Sequence, residues 1–563
     1  MRSRLTYPTL IGLVAALFFV PYLGGVHLFD WDEVNFAECA REMLMTGDYL
    51  RVYIGYEPFW EKPPFFFWLQ AGAMHLFGIG EFAARFPNAI CGAATLIVLF
   101  RIGTKLYDEQ FGLLWALAYF GSILPNFYFR SGIIDPWFNL FIFLGLYQVV
   151  LFHWKRDDYA HVAQRLPHGE WHYLLVGGFW VGMGVLTKGP VALLIVGLCM
   201  AVYWALVRFR WYISVVQALA FILASLVVTG IWFGIETYNN GPWFVQTFLV
   251  YQYRLFSTPD AGHAGFPGYH FVVLLLGCFP ASIFCLRAFA PQLQQHLYQR
   301  NFKTWMLILF WVVLILFTIV KSKIVHYSSM CYFPLTFLGA LSVRQVMEGK
   351  VRLAGWTKGF LLIIGGLLAA VLVAVPLLSR HIDWVKSLLV NDPFAQANLD
   401  AQVVWHGWEG VAGAVLLLGT GLGVAWLARP ERAWRGAATL FGSTAVAVLL
   451  VMYLYFPKIE PYSQGAAIEF FSGLQGKDCY TYTSGYRSYA QYFYPKTKPD
   501  TRPNPPSDAP DGAWEKRLFY GDIDKEVYVA GKIYDQPRLD SVKTLQKLYT
   551  KNGFVFYMRP KGR

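Results

Sequence analysis

Two short stretches of this sequence put acids and bases where ordinary packing has little use for them. The first is Phe29-Asp30-Trp31-Asp32-Glu33, a group of carboxylates at the end of an apolar run. Charges so close to hydrocarbon are costly unless they face water or a partner. The second is Pro58-Phe59-Trp60-Glu61-Lys62-Pro63-Pro64-Phe65-Phe66-Phe67-Trp68, which embeds an adjacent acid and base in an aromatic, proline-stiffened segment. An aromatic belt at a membrane surface explains the rings, but not Glu61-Lys62 followed by two prolines. Two more charges stand at the ends of apolar runs, Asp135 before Pro136 and Lys188 before Gly189-Pro190. Interfacial carboxylates of this kind can orient or deprotonate an acceptor, and lysines can hold an anion. The plainer alternatives are that Asp30 or Asp32 caps the helix-like stretch that follows, that Asp135 is an N-cap, and that Lys188 is a topology or snorkelling lysine.

The elements that must position these residues are membrane helices. The chain has 563 residues, of which 56% are hydrophobic and 15% charged, with a mean hydropathy of +0.41. Soluble domains carry about 25% charge, so an ordinary soluble enzyme is excluded. Apolar runs of helix-spanning length recur from Thr9 to Phe456, unlike the short alternating segments of a transmembrane β-barrel. They give thirteen candidate spans, about 8–28, 85–106, 110–129, 133–153, 171–187, 189–207, 211–234, 269–287, 304–320, 330–347, 357–378, 408–428 and 435–456. The formal charge of +12 lies in short clusters between these runs, so the basic residues read as topology signals and no nucleic-acid partner is expected. With Arg2 and Arg4 in the cytoplasm, every inside loop is basic, including those with Lys155 and Arg156, and Arg208 and Arg210. Lys188 then lies on the outer side, against the usual basic bias, which favours a functional role for it.

The same topology places outside the loop 30–85 and a polar tail, dividing the chain into a membrane module, 1–456, and a C-terminal region, 457–563. The tail reads as a small α/β domain, with strands at Val527-Tyr528-Val529 and Phe554-Val555-Phe556-Tyr557, a helical pattern from Leu539 to Tyr549, and a Pro-rich stretch from Pro495 to Pro510. Its tyrosines, Tyr480, Tyr482, Tyr486, Tyr489 and Tyr492, suit glycan contact, although such rings more often build a small domain's core. Only Cys39 and Cys479 lie well outside the spans, and nothing in their spacing argues for a disulfide.

Taken in order, several motifs resemble the bacterial aminoarabinose transferase family, GT-C glycosyltransferases related to protein O-mannosyltransferases. They are Asp32-Glu33; Ala37-Glu38-Cys39-Ala40-Arg41-Glu42-Met43 with Thr46-Gly47-Asp48; Glu61-Lys62-Pro63-Pro64 with Trp68; and Glu81-Phe82-Ala83-Ala84-Arg85 with Pro87. The pattern continues at Leu186-Thr187-Lys188-Gly189-Pro190, at Arg254 followed by His263 and Pro267, and at Lys321-Ser322-Lys323 before Tyr327 and Pro334. The chain departs from the family at Asn35, where an arginine is usual, and at Phe59, where a tyrosine is common.

The resemblance implies an all-α polytopic fold of about thirteen transmembrane helices, with the small C-terminal α/β domain outside. It also implies a reaction at the periplasmic face of a bacterial inner membrane. There a monosaccharide would pass from a polyprenyl phosphate, undecaprenyl phosphate, to lipid A or another glycolipid or glycan, with membrane lipid as a partner. Asp32 matches the family's catalytic aspartate, and Asp135 resembles the second acidic position of GT-C enzymes. Lys62, Lys188 and Arg254 are the candidate cations for the departing phosphate. Glu61, Tyr327 and Glu33 are candidate substrate-site neighbours, with Asp30 and Glu33 also suited to ordering the loop or capping its helix. Glu61 is a candidate partner for Lys62 or Arg254, or a ligand for a divalent metal together with His263, His326 or His381. Histidines without ligand spacing default to polar loop residues, so no cofactor is implied with certainty. The rival readings are a protein O-mannosyltransferase acting on polypeptide hydroxyls, and a transporter of polyprenyl phosphate or glycolipid that uses the same cations without making a bond.

Overall fold

The computed structural model describes residues 3–159, 162–258, 265–288, 296–501 and 512–562. Each apolar stretch singled out in the sequence contains helix, while the count of thirteen spans is not confirmed. Among the described residues, seven helices are long and apolar enough to cross a membrane, or eight if one bent pair counts as a span. That pair occupies the stretch expected as a single span at 269–287: Tyr269–Gly277 and Ala281–Ala288 meet at 115°. The stretch 110–129 likewise divides into Glu109–Phe120 and Ile123–Tyr128. Two further runs form short helices, Ser3–Phe19 and Val191–Leu206.

The breaks have local causes that hydropathy does not register. Ser122 turns its hydroxyl back onto the Ala118 carbonyl at 2.7 Å, closing the preceding helix. Pro280 supplies no N–H to continue the other one. The two breaks also meet, the Ile123 N–H donating to the Phe279 carbonyl at 3.3 Å, so backbone freed in one is partly satisfied by the other. Elsewhere small residues let helices close to backbone contact. A Cβ on Gly112 would stand 2.5 Å from the Phe100 carbonyl oxygen, and one on Gly178 would stand 2.5 Å from that of Phe221. The helices Val215–Asn240 and Gly355–Ser379 leave Leu219, Leu223, Leu367 and Val371 exposed, as lipid-facing helices must.

The first loop folds as a helix, Asp32–Thr46, a small hairpin of β1 (Tyr53–Ile54) and β2 (Glu57–Pro58), and a second helix, Phe65–Phe77. The C-terminal region carries a four-stranded sheet of β3 (Cys479–Ser484), β4 (Glu526–Lys532), β5 (Gln546–Lys551) and β6 (Phe554–Arg559), in the order β3-β4-β6-β5. The β3–β4 pair is parallel and the other two are antiparallel. The helical pattern expected from Leu539 to Tyr549 is corrected here: helix covers only Gln536–Asp540, residues 541–545 are turn and irregular chain, and β5 takes up the remainder. All six side chains of β5 are exposed, so this edge strand lacks the alternation that marks a half-buried strand. The expected strands around Val527–Val529 and Phe554–Tyr557 are present as β4 and β6. Residues 502–510 of the Pro-rich stretch lie outside the described residues.

The sheet and the first loop share one core. Leu28, Val34, Ala37, Ala71 and Met74 from the loop region pack with Phe470, Phe471, Phe493 and Phe556 from the tail. Cys39 and Cys479 are both buried and unbridged.

Candidate active site

A cavity of about 460 Å³ opens between the first loop, the ends of several helices and the tail. Asp32, Glu33, Glu61, Lys62, Asp135, Lys188, Arg254, His326 and Tyr327 all line it, gathering residues spread over most of the membrane module. Two of the sequence candidates do not join them. His381 precedes the short helix Ile382–Ser387 and does not line the cavity, and His263 lies outside the described residues.

At the centre, Asp135 opens the helix Asp135–Arg156 and Lys188 closes the helix Glu170–Lys188. Each charge sits at the helix end whose dipole favours it, and they meet with Lys188 Nζ 2.7 Å from Asp135 Oδ1. The chain can leave the second helix here because Gly189 adopts a φ of 114°, a region that side chains disfavour. His326 bridges the two aspartates, its Nε2 lying 3.6 Å from Asp32 Oδ2 and 3.9 Å from Asp135 Oδ2. Burial lowers the His326 pKa while the carboxylates pull it upward, and burial wins. The aspartates differ in access: the Asp32 side chain is 34% exposed and that of Asp135 only 5%. Asp32 is therefore the carboxylate open to an incoming molecule.

The cations are arranged around aromatic rings. Lys62 Nζ lies 4.8 Å from the Tyr251 ring centre and donates to its hydroxyl at 3.4 Å, while the Arg254 guanidinium lies 5.2 Å from the same ring. Lys188 stands 5.3 Å from the Tyr327 ring. Ring faces attract these cations through their quadrupoles and help hold them at the cavity wall. Tyr251 was not among the sequence candidates. Its signal is its spacing, one helical turn before Arg254 on the helix Trp243–Ser257.

Glu33 lines the cavity, but its oxygens are committed elsewhere. Arg85 donates to it from Nε at 3.0 Å and Nη2 at 2.7 Å, and the Phe29 and Gly132 N–H groups donate at 3.0 and 2.5 Å. Burial pushes the Glu33 carboxyl up, and Arg85 with the backbone donors outweighs it, holding the group below the usual carboxylate range. Arg85 spends its remaining donors on the carbonyls of Leu23, Val26 and His27 at 2.8, 2.9 and 2.9 Å. Glu33 thus anchors the loop that presents Asp32. Among the described residues Glu61 makes no ion pair, so the expected partnership with Lys62 or Arg254 is absent. Nor do the described residues contain any group of three or more His, Cys, Asp or Glu placed to hold a metal.

The tail also enters the cavity, where Tyr489, one of the tyrosines suited to glycan contact, and Arg487, which the sequence reading missed, line the wall beside Trp31. The Tyr489 N–H donates to Asp30 Oδ1 at 3.4 Å, and the Tyr489 and Trp31 rings meet edge to face at 5.4 Å. Asp30 opens onto the cavity but is ringed by protein, and this desolvation pushes its pKa up to about 6.

The chain is similar in sequence and fold to known glycosyl-transfer proteins. The family model described as dolichyl-phosphate-mannose-protein mannosyltransferase matches residues 61–232. Over 396 residues the chain is 27% identical to the undecaprenyl phosphate-alpha-4-amino-4-deoxy-L-arabinose arabinosyl transferase of Photorhabdus laumondii, a match covering 67% of this chain and 68% of that protein. It is 26% identical over 413 residues to the arabinosyl transferase 1 of the same description from Pseudomonas fluorescens, covering 72% of this chain and 71% of the other. The fold is similar to that of ArnT from Cupriavidus metallidurans crystallised with undecaprenyl phosphate, with a TM-score of 0.77, 18% identity and 98% coverage of both chains. The likeness to the aminoarabinose transferases that the ordered motifs carry is borne out.

Proposed function

We propose that this chain is a membrane glycosyltransferase that moves a monosaccharide from undecaprenyl phosphate to lipid A or another envelope glycolipid or glycan at the periplasmic face. The observation that carries this reading is the meeting of Asp32, Asp135 and His326 in one cavity with Lys62, Lys188 and Arg254. The relatives' names and the likeness to a fold crystallised with undecaprenyl phosphate support the donor.

In this reading the sugar–phosphate bond breaks as the acceptor oxygen attacks the anomeric carbon. The phosphate leaves with added negative charge, which Lys62 and Arg254 stabilise from fixed positions. Asp32, the exposed carboxylate, takes the proton of a hydroxyl acceptor or orients an acceptor that is already ionised. Asp135 and Lys188 hold each other, and His326 keeps Asp32 in place from the buried side. Glu33 acts through the loop and does not touch substrate. The basic loops at the opposite end of the bundle support an outer-face site at a bacterial inner membrane.

The test is mass spectrometry of envelope lipids and proteins from cells with the chain, without it, and with Asp32→Asn. One sugar missing from lipid A or another glycolipid in both deficient strains is the expected result. A second reading, transfer to a polypeptide hydroxyl, is favoured by the description of the family matched at residues 61–232. It would appear as a sugar missing from protein instead. Unchanged sugar decoration with Asp32→Asn would favour a transporter.

A further inference from the structure

The cavity wall nearest the C-terminal sheet is built by the segment that carries Arg487 and Tyr489, and the donor chemistry above leaves it without a task. Arg487 is exposed, and among the described residues it makes no hydrogen bond or ion pair. The cations on the bundle side are differently placed, Lys188 against Asp135, and Lys62 and Arg254 against the Tyr251 ring.

The segment carrying Arg487 is nonetheless held in position. The Tyr489 N–H reaches Asp30 Oδ1 at 3.4 Å, and its ring meets Trp31 at 5.4 Å and 85°. Five residues on, the Tyr494 hydroxyl accepts from the Leu28 N–H at 2.8 Å. A positioned guanidinium is suited to a phosphate, which it can meet with two parallel donors, and the adjoining rings offer flat apolar surface to a sugar. The family match ends at residue 232, so this wall lies outside the stretch that the chain shares with that model.

We propose that Arg487 and Tyr489 recognise the acceptor. Arg487 binds a phosphomonoester of the acceptor glycolipid, and Tyr489 with Trp31 packs against its sugar ring. The tail thereby selects what receives the sugar, while the bundle handles the donor. This inference rests on the glycosyl-transfer reading.

The test uses the full-length chain in nanodiscs, with binding of undecaprenyl phosphate, of lipid A, and of lipid A stripped of its phosphates measured by native mass spectrometry. Arg487→Ala should weaken lipid A binding roughly ten- to a hundredfold, the range for one charge-assisted hydrogen bond. Arg487→Lys should recover part of that loss, and undecaprenyl phosphate binding should be unchanged in both. With stripped lipid A, the wild type and Arg487→Ala should bind alike, whereas Tyr489→Ala should weaken both forms of lipid A. Equal loss on phosphorylated and stripped lipid A, loss confined to undecaprenyl phosphate, or no loss would overturn the assignment. So would a wild-type chain that binds undecaprenyl phosphate but no lipid A, including one that glycosylates a polypeptide. A wild-type chain that binds neither lipid would instead overturn the glycosyl-transfer reading beneath it. Unchanged melting of the variants excludes a folding artefact, as the exposure of Arg487 leads one to expect.

Discussion

Asp32 and Asp135 flank one imidazole yet differ in access, and the proposed function gives them separate work. Asp32→Asn keeps the shape but removes the base and the charge, so transfer should slow by about 10²- to 10⁴-fold while undecaprenyl phosphate binding persists. Single-turnover transfer and lipid binding on the same preparation would separate the two. Lys62→Ala and Arg254→Ala should behave in the opposite sense, weakening undecaprenyl phosphate binding or turnover roughly ten- to a hundredfold each. Asp30 gives a pH prediction. Its folded pKa, raised to about 6, lies above the unfolded value, so its contribution to stability is present below the unfolded pKa and is lost as pH rises through the folded one. Asp30→Asn retains an acceptor for the Tyr489 N–H and should melt like wild type at low pH. It should become the more stable protein as pH climbs to about 6, and a melting series across that range checks the sign.

Helices were the most legible part of the sequence, because an apolar run long enough for a bilayer has little else to become. What the runs did not reveal was direction. The turns at Gly121-Ser122 and at Pro280 sit inside apolar sequence, and their cause is a hydroxyl, a missing N–H and a mutual hydrogen bond rather than any change in hydropathy. The acids and bases of the first loop were legible as a set, but their division of labour was not. Glu33 and Asp32 are neighbours with similar chemistry, and only Arg85, far along the chain, distinguishes the anchor from the open carboxylate. The helix Asp32–Thr46 offers a parallel case in Arg41, which is buried and paired to Glu38 at 2.7 and 2.6 Å and reaches Thr497 Oγ1 at 3.2 Å. Removing one partner leaves a buried charge uncompensated, so Arg41→Ala should cost about 3–5 kcal/mol. The expected signs are a lower melting temperature and loss of folded yield, with no selective effect on either substrate.

At the scale of the whole molecule, Asp135 at the cavity opens the helix Asp135–Arg156, and Arg156, bonded to the Tyr212 carbonyl at 3.1 Å, closes it at the end predicted to face the cytoplasm. In a protein freed of its native cysteines, Asp48→Cys should react with an impermeant reagent added outside and Arg156→Cys should not. The reverse pattern would invert the orientation. Of the tail's two residues in the cavity, Tyr489 stood in the sequence only as one of five tyrosines, and Arg487 carries no motif and acquires meaning only through what the fold sets beside it. The core shared by the first loop and the tail also bears on how the enzyme is made. Leu28 and Tyr494, joined by a hydrogen bond, are 466 residues apart. At ~5–20 residues per second a ribosome needs roughly 20 to 90 s to cover that gap. Throughout that interval the newborn first loop waits with the apolar faces of its helices uncovered and Arg41 without its Thr497 contact. The cavity is therefore walled on this side only once the segment of Arg487 and Tyr489 arrives, and a chain interrupted before it lacks that wall.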